Sequence, residues 1–197
     1  MALTLIKEDG SGKADANSYA DVADGDSYYD GHLYASAWTG ASADKKATAL
    51  VMATRLIDSQ FQFNGSRTSA TQALQWPRAE CPDPDKGLVT LSALLPILSN
   101  FVDYDTVPAA VVQAACEMAR ELLIADRTAA PPGEGISTTQ TSQASHDGTG
   151  AGTSGMTSVS YSKVDTRPII SHVARAMLGK FGALISSGGG AVRLVRA

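Results

Sequence analysis

Apolar residues recur three and four positions apart in several stretches of the 197-residue chain. The widest such stripe follows Pro108. Val111, Ala115, Met118 and Leu122 fall on one line, with Val112, Cys116, Ala119 and Leu123 beside it. A helix with so broad an apolar face is usually central to its domain. Pro108 suits a first helical position, with Asp105 and Thr106 just upstream. A second stripe, Ala47, Leu50, Val51, Thr54 and Ile57, predicts a helix over 44–60, with Ser42 as its cap and Asp44 in its first turn. A third pattern, Tyr19, Val22, Ala23 and Tyr29, predicts a helix over 18–29. Asn17 would cap it, Gly25 would weaken it and Gly31 would end it. The opening LTLIKEDG alternates weakly, as a short edge strand or an arm would.

Between the second and widest stripes the periodicity lapses. RLIDSQFQFNGSRTSATQALQWPRAECPDPD turns at Asn64-Gly65 and closes on Trp76, Pro77 and Arg78 before a Pro/Asp turn. The apolar run beyond it is interrupted by Pro96 and reads as loop or short helical turns. After Asp126 the chain becomes rich in Gly, Ser and Thr; GAGTSGM within this stretch reads as linker. Such a segment is expected to be flexible alone and to be held by neighbouring subunits. SVSYSKVD then alternates like a strand. A helix is predicted over 168–184, with Ile170, Val173, Ala174, Met177, Phe181 and Leu184 on its apolar side. After a glycine tether, AVRLVRA alternates as a short strand. A strand that short cannot fold alone and suits pairing with an edge strand of another chain. The predicted class is mainly α: a small helical bundle with a long Gly/Ser/Thr loop and an extended C-terminal helix-plus-strand arm. The expected division is 1–127, 128–158 and 159–197.

Composition changes this picture in two ways. Apolar residues make up 44% of the chain, but many are alanine and only 6% of residues are aromatic. The core is therefore expected to be thin, with stability drawn from neighbouring subunits. Charge is also uneven. From Val159 onward six basic residues face one acid, a net of +5; the whole chain is −4, which leaves −9 for 1–158. An acidic body with a basic tail suggests that the tail meets an acidic surface on another copy or a partner. The same balance argues against a general nucleic-acid binder. No apolar run is long enough for a membrane span, and the opening segment is too short for a signal peptide. Cys81 and Cys116 fit a reduced compartment, with Cys116 on the apolar face of a helix.

Catalytic vocabulary is scarce. No phosphate loop, dinucleotide fingerprint, zinc motif or nucleophile elbow is present. His32, His146 and His172 lack acids or cysteines at ligand spacing. Asp103 and Asp105 suit a helix N-terminus better than acid–base work. No enzyme activity, cofactor or metal is expected. Trp76 beside Arg78 admits two readings, a packed corner or a base-stacking platform, and the usual burial of tryptophan favours the corner.

Four blocks in one order, ANSYADVADGDSYY, AL..ATRLID, G.RTSATQALQWPR and VPAAVVQAACEMARELL, carry a resemblance. The chain resembles a family of tailed-phage proteins, often labelled DnaT-like single-stranded-DNA-binding proteins, that look like head-to-tail connectors. The long loop over 131–157 departs from that pattern. The resemblance implies a virion structural protein: a head-to-tail adaptor forming a ring, usually of twelve copies, below the portal. It would sit at the portal vertex of a bacteriophage neck after assembly in the host cytoplasm. Its partners would be the portal protein and a tail or nozzle protein, with duplex DNA passing through the channel during genome ejection and no membrane involved. Trp76, Pro77 and Arg78 would form a structural lock. Val192, Arg193, Leu194, Val195 and Arg196 would dock on the portal, and Val173, Met177 and Phe181 would face a neighbouring subunit. The alternative function is a single-stranded-DNA-binding accessory protein.

Overall fold

The computed structural model describes residues 3–86, 100–129, 136–143, 155–161 and 168–185. The Pro96 region and the tail expected to dock on a portal, Val192 to Arg196, lie outside them. The elements follow in the order α1 (Val22–Tyr29), α2 (Ser36–Thr39), α3 (Ala43–Gln60), β1 (Phe61–Phe63), β2 (Ser66–Arg67), β3 (Arg78–Ala79), α4 (Ala109–Ile124), β4 (Ile136–Gln143), β5 (Gly155–Tyr161), α5 (His172–Leu178) and β6 (Gly182–Leu184). Among the described residues the strands form three two-stranded sheets, β1 with β6, β2 with β3 and β4 with β5. This is a mixed α/β fold and corrects the mainly α bundle expected from the sequence. Two compact units divide the chain: Met1–Asp126 with Ile170–Ala197, and Arg127–Ile169.

In the first unit α4 packs against α3 and α5, and α1 and α2 pack against α4. The wide stripe does become the centre: Val111, Ala114, Ala115, Cys116, Met118 and Ala119 are all buried on α4. Pro108 is its cap residue rather than its first helical residue. On α3 the Ser42 hydroxyl accepts from the Lys45 amide, as its sequence position foretold.

At α1 the start shifts. Asp21, not Asn17, is the N-cap, in a reciprocal capping box with Asp24. Asn17 instead accepts from the Ile6 amide and donates to the Thr4 carbonyl, tying down the N-terminal segment. That segment makes a single parallel bridge, Lys7 to Ser18, rather than a strand. Gly25 is needed for packing: a Cβ there would lie 2.2 Å from the Trp38 ring. Trp38 is fully buried beside Tyr29, with ring centroids 5.3 Å apart.

The predicted C-terminal arm is also corrected. The helix covers only His172–Leu178, with the Ser171 hydroxyl accepting from the Ala174 amide as its cap. The chain then turns, and β6 pairs antiparallel with β1, Phe63 opposite Gly182 and Phe61 opposite Leu184. Ile170, Ala174, Leu178 and Phe181 enter the core of the first unit. Helix-like spacing over 168–184 hid this turn, because Phe181 and Leu184 are apolar in either conformation.

The second unit contains the antiparallel ribbon β4–β5, running from Ile136 opposite Tyr161 to Gln143 opposite Gly155, with an irregularity between Ile136 and Thr138. β4 falls within the stretch expected to be loop, while β5 begins in that stretch and overlaps the strand expected in SVSYSKVD at 158–161. Their Thr, Ile, Val and Tyr content suits extended backbone despite the surrounding low complexity. In the same unit the Arg127 guanidinium donates to the Ile169 and Pro168 carbonyls, bracing the two ends of that segment.

Candidate functional site

The densest set of polar contacts surrounds Trp76, Pro77 and Arg78. The indole of Trp76 is fully buried, edge-on to Phe63 and Phe181 at centroid distances of 5.6 and 5.7 Å. The peptide bond to Pro77 is cis. Arg78 is 7% exposed, and all its contacts are internal. Its Nε donates to the Asn64 carbonyl at 2.7 Å, and Nη2 donates to the Gly65 and Phe63 carbonyls at 2.6 and 3.2 Å. Nη1 donates to the Gln75 carbonyl and to its side-chain Oε1. One guanidinium thus replaces the missing strand partners of the 63–65 turn. Gly65 has φ +72°, and a Cβ there would meet the Ala79 carbonyl oxygen at 2.2 Å.

Gln72 completes the lock from the other side. Its Oε1 accepts from Thr68 and from the Ser69 amide, and its Nε2 donates to the Leu74 and Pro77 carbonyls. Behind it, the Tyr19 hydroxyl donates to Asp58 Oδ1 through a very short hydrogen bond. The same hydroxyl accepts from the Gln75 and Trp76 amides, while Asp58 Oδ2 accepts from the Gln75 amide. Burial pushes the Asp58 carboxyl up to about 6, against the lowering effect of these donors and of Arg67 and Arg78. Burial likewise raises Tyr19 well above the ordinary phenol range. The sequence offered no signal for Asp58 or Gln72. Each reads as a solvent-facing polar residue until the long-range partner is known.

Two further carboxylates are sequestered. Glu8 is 1% exposed, and its oxygens accept from the amides of Gly10, Gly12 and Lys13 at 2.8–2.9 Å. The EDGSGK turn therefore makes an anion cradle of backbone amides that its own side chain fills. Glu117, 2% exposed on α4, accepts from Tyr28 and Arg120 and lies 3.3 Å from His32 Nε2. Asp103 pairs with Lys86 at 3.2 Å.

Cys81 and Cys116 are free and buried; burial raises both thiols, Cys116 to about 12. Among the described residues no cluster of three metal-ligating side chains occurs, and no helix is long and apolar enough to cross a membrane. Two surface depressions beside α3 are mostly apolar. One of about 310 Å³ is lined by Ala49, Met52, Leu122 and Leu123, and one of about 370 Å³ by Leu3, Val51, Met52 and Leu56.

The three residues expected to face a neighbour do not share a surface. Val173 is exposed, Met177 is half-buried, and Phe181 is a core residue against Trp76. The lock residues, by contrast, are brought together with Tyr19, Asp58 and Gln72 into one buried network.

The fold and this network define an α/β protein in which Arg78, Gln72 and Glu8 direct buried polar groups at its own backbone. The chain belongs to the family described as "Putative DnaT-like ssDNA binding protein", whose family model matches residues 3–197. No curated protein and no solved structure shows a match.

Proposed function

We propose that the chain is a virion structural subunit, a head-to-tail adaptor that assembles as a ring below the portal and extends the DNA channel toward the tail. The portal and a tail or nozzle protein are its proposed partners, and the virion neck its location. The observation that supports this reading is the fate of the groups suited to nucleic acid. The indoles of Trp38 and Trp76 are fully buried, and the Arg78 guanidinium is spent on backbone carbonyls. Residues 1–158 carry a net charge of −9, which repels phosphate and suits a wall past which DNA slides.

The family description favours a second reading more directly than the first: a single-stranded-DNA-binding accessory protein. The basic residues Arg193 and Arg196 would then serve phosphates rather than an acidic protein surface. Titration of labelled oligothymidylate and of a duplex, over a salt series, separates the two. The adaptor reading expects no sub-micromolar affinity for either at physiological salt, together with co-sedimentation with portal. Tight oligonucleotide binding that weakens steeply and log-linearly with salt would establish the second reading and sink the first.

A further inference from the structure

We infer that His32 is a proton-operated latch: while its ring is neutral it holds the exposed Leu33–Tyr34 tip between α1 and α2, and a second proton on the ring lets the tip go. The inference goes beyond the proposed function and stands whether the chain serves a virion neck or binds single strands. Leu33 and Tyr34 are 85% and 70% exposed, the largest values for big apolar side chains among the described residues. A bare tip of that kind would sample many conformations, yet this one is fixed from behind. The Tyr34 amide donates to His32 Nδ1 at 3.1 Å, and the Tyr34 carbonyl accepts from Arg120 Nη1 at 3.4 Å. The other ring nitrogen, Nε2, lies 3.3 Å from Oε1 of Glu117 on α4. The His32 amide donates to the Tyr29 carbonyl, which anchors the ring's own backbone to the end of α1.

These contacts fix the tautomer. A backbone amide can only donate, so Nδ1 must be the bare nitrogen. The single proton of the neutral ring therefore sits on Nε2, where it faces Glu117. In the imidazolium both nitrogens carry hydrogens, so Nδ1–H and the Tyr34 N–H point at each other and that bond is lost. The ring does not leave with it, because the new charge faces the Glu117 carboxylate and strengthens that side of the bridge. Acidification thus tightens His32 onto α4 and frees Tyr34. Tyr34 leads into α2, which has no side-chain cap of its own, so the release reaches the start of that helix. The other groups around the ring are Tyr28 and Tyr29 of α1 and Tyr34 itself, at centroid distances of 6.3, 5.4 and 6.4 Å. Burial raises the Tyr28 and Tyr29 phenols, Tyr28 to about 12, so both stay neutral. On α4 the Tyr28 hydroxyl donates to Glu117, and Arg120 Nη2 bridges Glu117 and Glu121. Imidazole is the side chain that ordinarily changes charge between about pH 5 and 8.

Solution NMR of the full chain, titrated from about pH 8 to about pH 5, tests this. Ring nitrogen shifts should place the His32 proton on Nε2 at the upper end. As the ring takes its second proton, the Tyr34 amide should exchange about tenfold faster or more, relative to its intrinsic rate at each pH. Leu33 and Tyr34 shifts should move with the same midpoint as the ring. His32→Asn supplies a side-chain oxygen near the Nδ1 position that does not titrate, as in an Asx turn, so its Tyr34 amide should stay protected throughout. His32→Ala removes the acceptor, and its Tyr34 amide should exchange freely throughout. If either variant unfolds, the titration of the unaltered chain still decides. A neutral ring protonated on Nδ1 overturns the inference, and so does a Tyr34 amide whose protection is unchanged as the ring titrates. A transition that persists in His32→Asn also overturns it and assigns the response to another group, Asp58 first, whose carboxyl titrates near 6.

Discussion

Arg78 illustrates how one side chain can stand in for secondary structure. Five hydrogen bonds run from its guanidinium to Phe63, Asn64, Gly65 and Gln75. Removing it leaves several carbonyls without donors in a region shielded from water. Arg78→Ala should cost about 2–4 kcal/mol in urea unfolding, since each stranded buried acceptor carries a desolvation penalty. Arg78→Lys should recover only part of that, because an ammonium cannot reproduce the planar fork; full recovery would show that charge alone suffices. Trp76→Ala should cost about 3–5 kcal/mol, as truncating a fully buried aromatic does. An unchanged melting temperature would reject its placement against Phe63 and Phe181.

Asp58 gives the lock a pH dependence. Its folded-state carboxyl titrates near 6, above the ordinary value of 3.8, because burial disfavours the charged form. The native state therefore holds its proton more tightly than the unfolded chain. The resulting stabilisation is complete below about pH 4 and fades as pH rises to about 6, a difference on the order of 3 kcal/mol. Asp26 acts oppositely: hydrogen bonds from Lys46 and Trp38 hold it low, and its contribution fades as pH falls. Asp58→Asn isolates the first effect. The stability gap between the original protein and the variant should be wider at pH 4 than at pH 7. A gap independent of pH would mean that Asp58 titrates normally.

At the scale of elements, legibility tracked length. α3 and α4 were readable from periodicity and from Ser42, because sixteen or more residues of consistent pattern outweigh local ambiguity. The shortest elements were not. α2 spans four residues, and β1, β2, β3 and β6 span two or three. No window of sequence that small carries a period. β1 and β6 exist because residues some 120 positions apart pair, a fact no local pattern contains. The same limit applies to the candidate site. Trp76, Pro77 and Arg78 stood out as residue types, while Asp58 and Gln72 became visible only through their partners. Gly25 was legible only in part for a related reason: its cost to helix α1 is local, while its benefit depends on Trp38. Gly25→Ala gains up to about 1 kcal/mol in helix propensity. Overpacking against the indole should exceed that gain, at about 1–3 kcal/mol. A net loss of stability is expected on thermal unfolding, and a net gain would mean that the indole moves aside freely.

The whole molecule separates two kinds of surface. Every buried apolar side chain among the described residues lies at or before Phe181, ahead of the glycine tether in the sequence. Beyond Ser187 the sequence offers three glycines, then Val192, Leu194 and Val195 interleaved with Arg193 and Arg196. Those arginines are among the basic residues that give the chain beyond 158 its net positive charge, while the remainder is acidic. Core and tail should therefore respond independently to truncation. Deleting 188–197 should change the unfolding free energy by less than about 0.5 kcal/mol, as surface changes remote from a core do. Under the adaptor reading the same deletion should abolish binding to purified portal, because main-chain pairing and the two arginines are lost together. Restoring AVRLVRA with both arginines changed to glutamate should leave that binding weak if the portal surface is acidic. Binding at full strength by the truncated chain would move docking to the folded body, where the Met52 and Leu122 groove beside α3 would become the surface to mutate next.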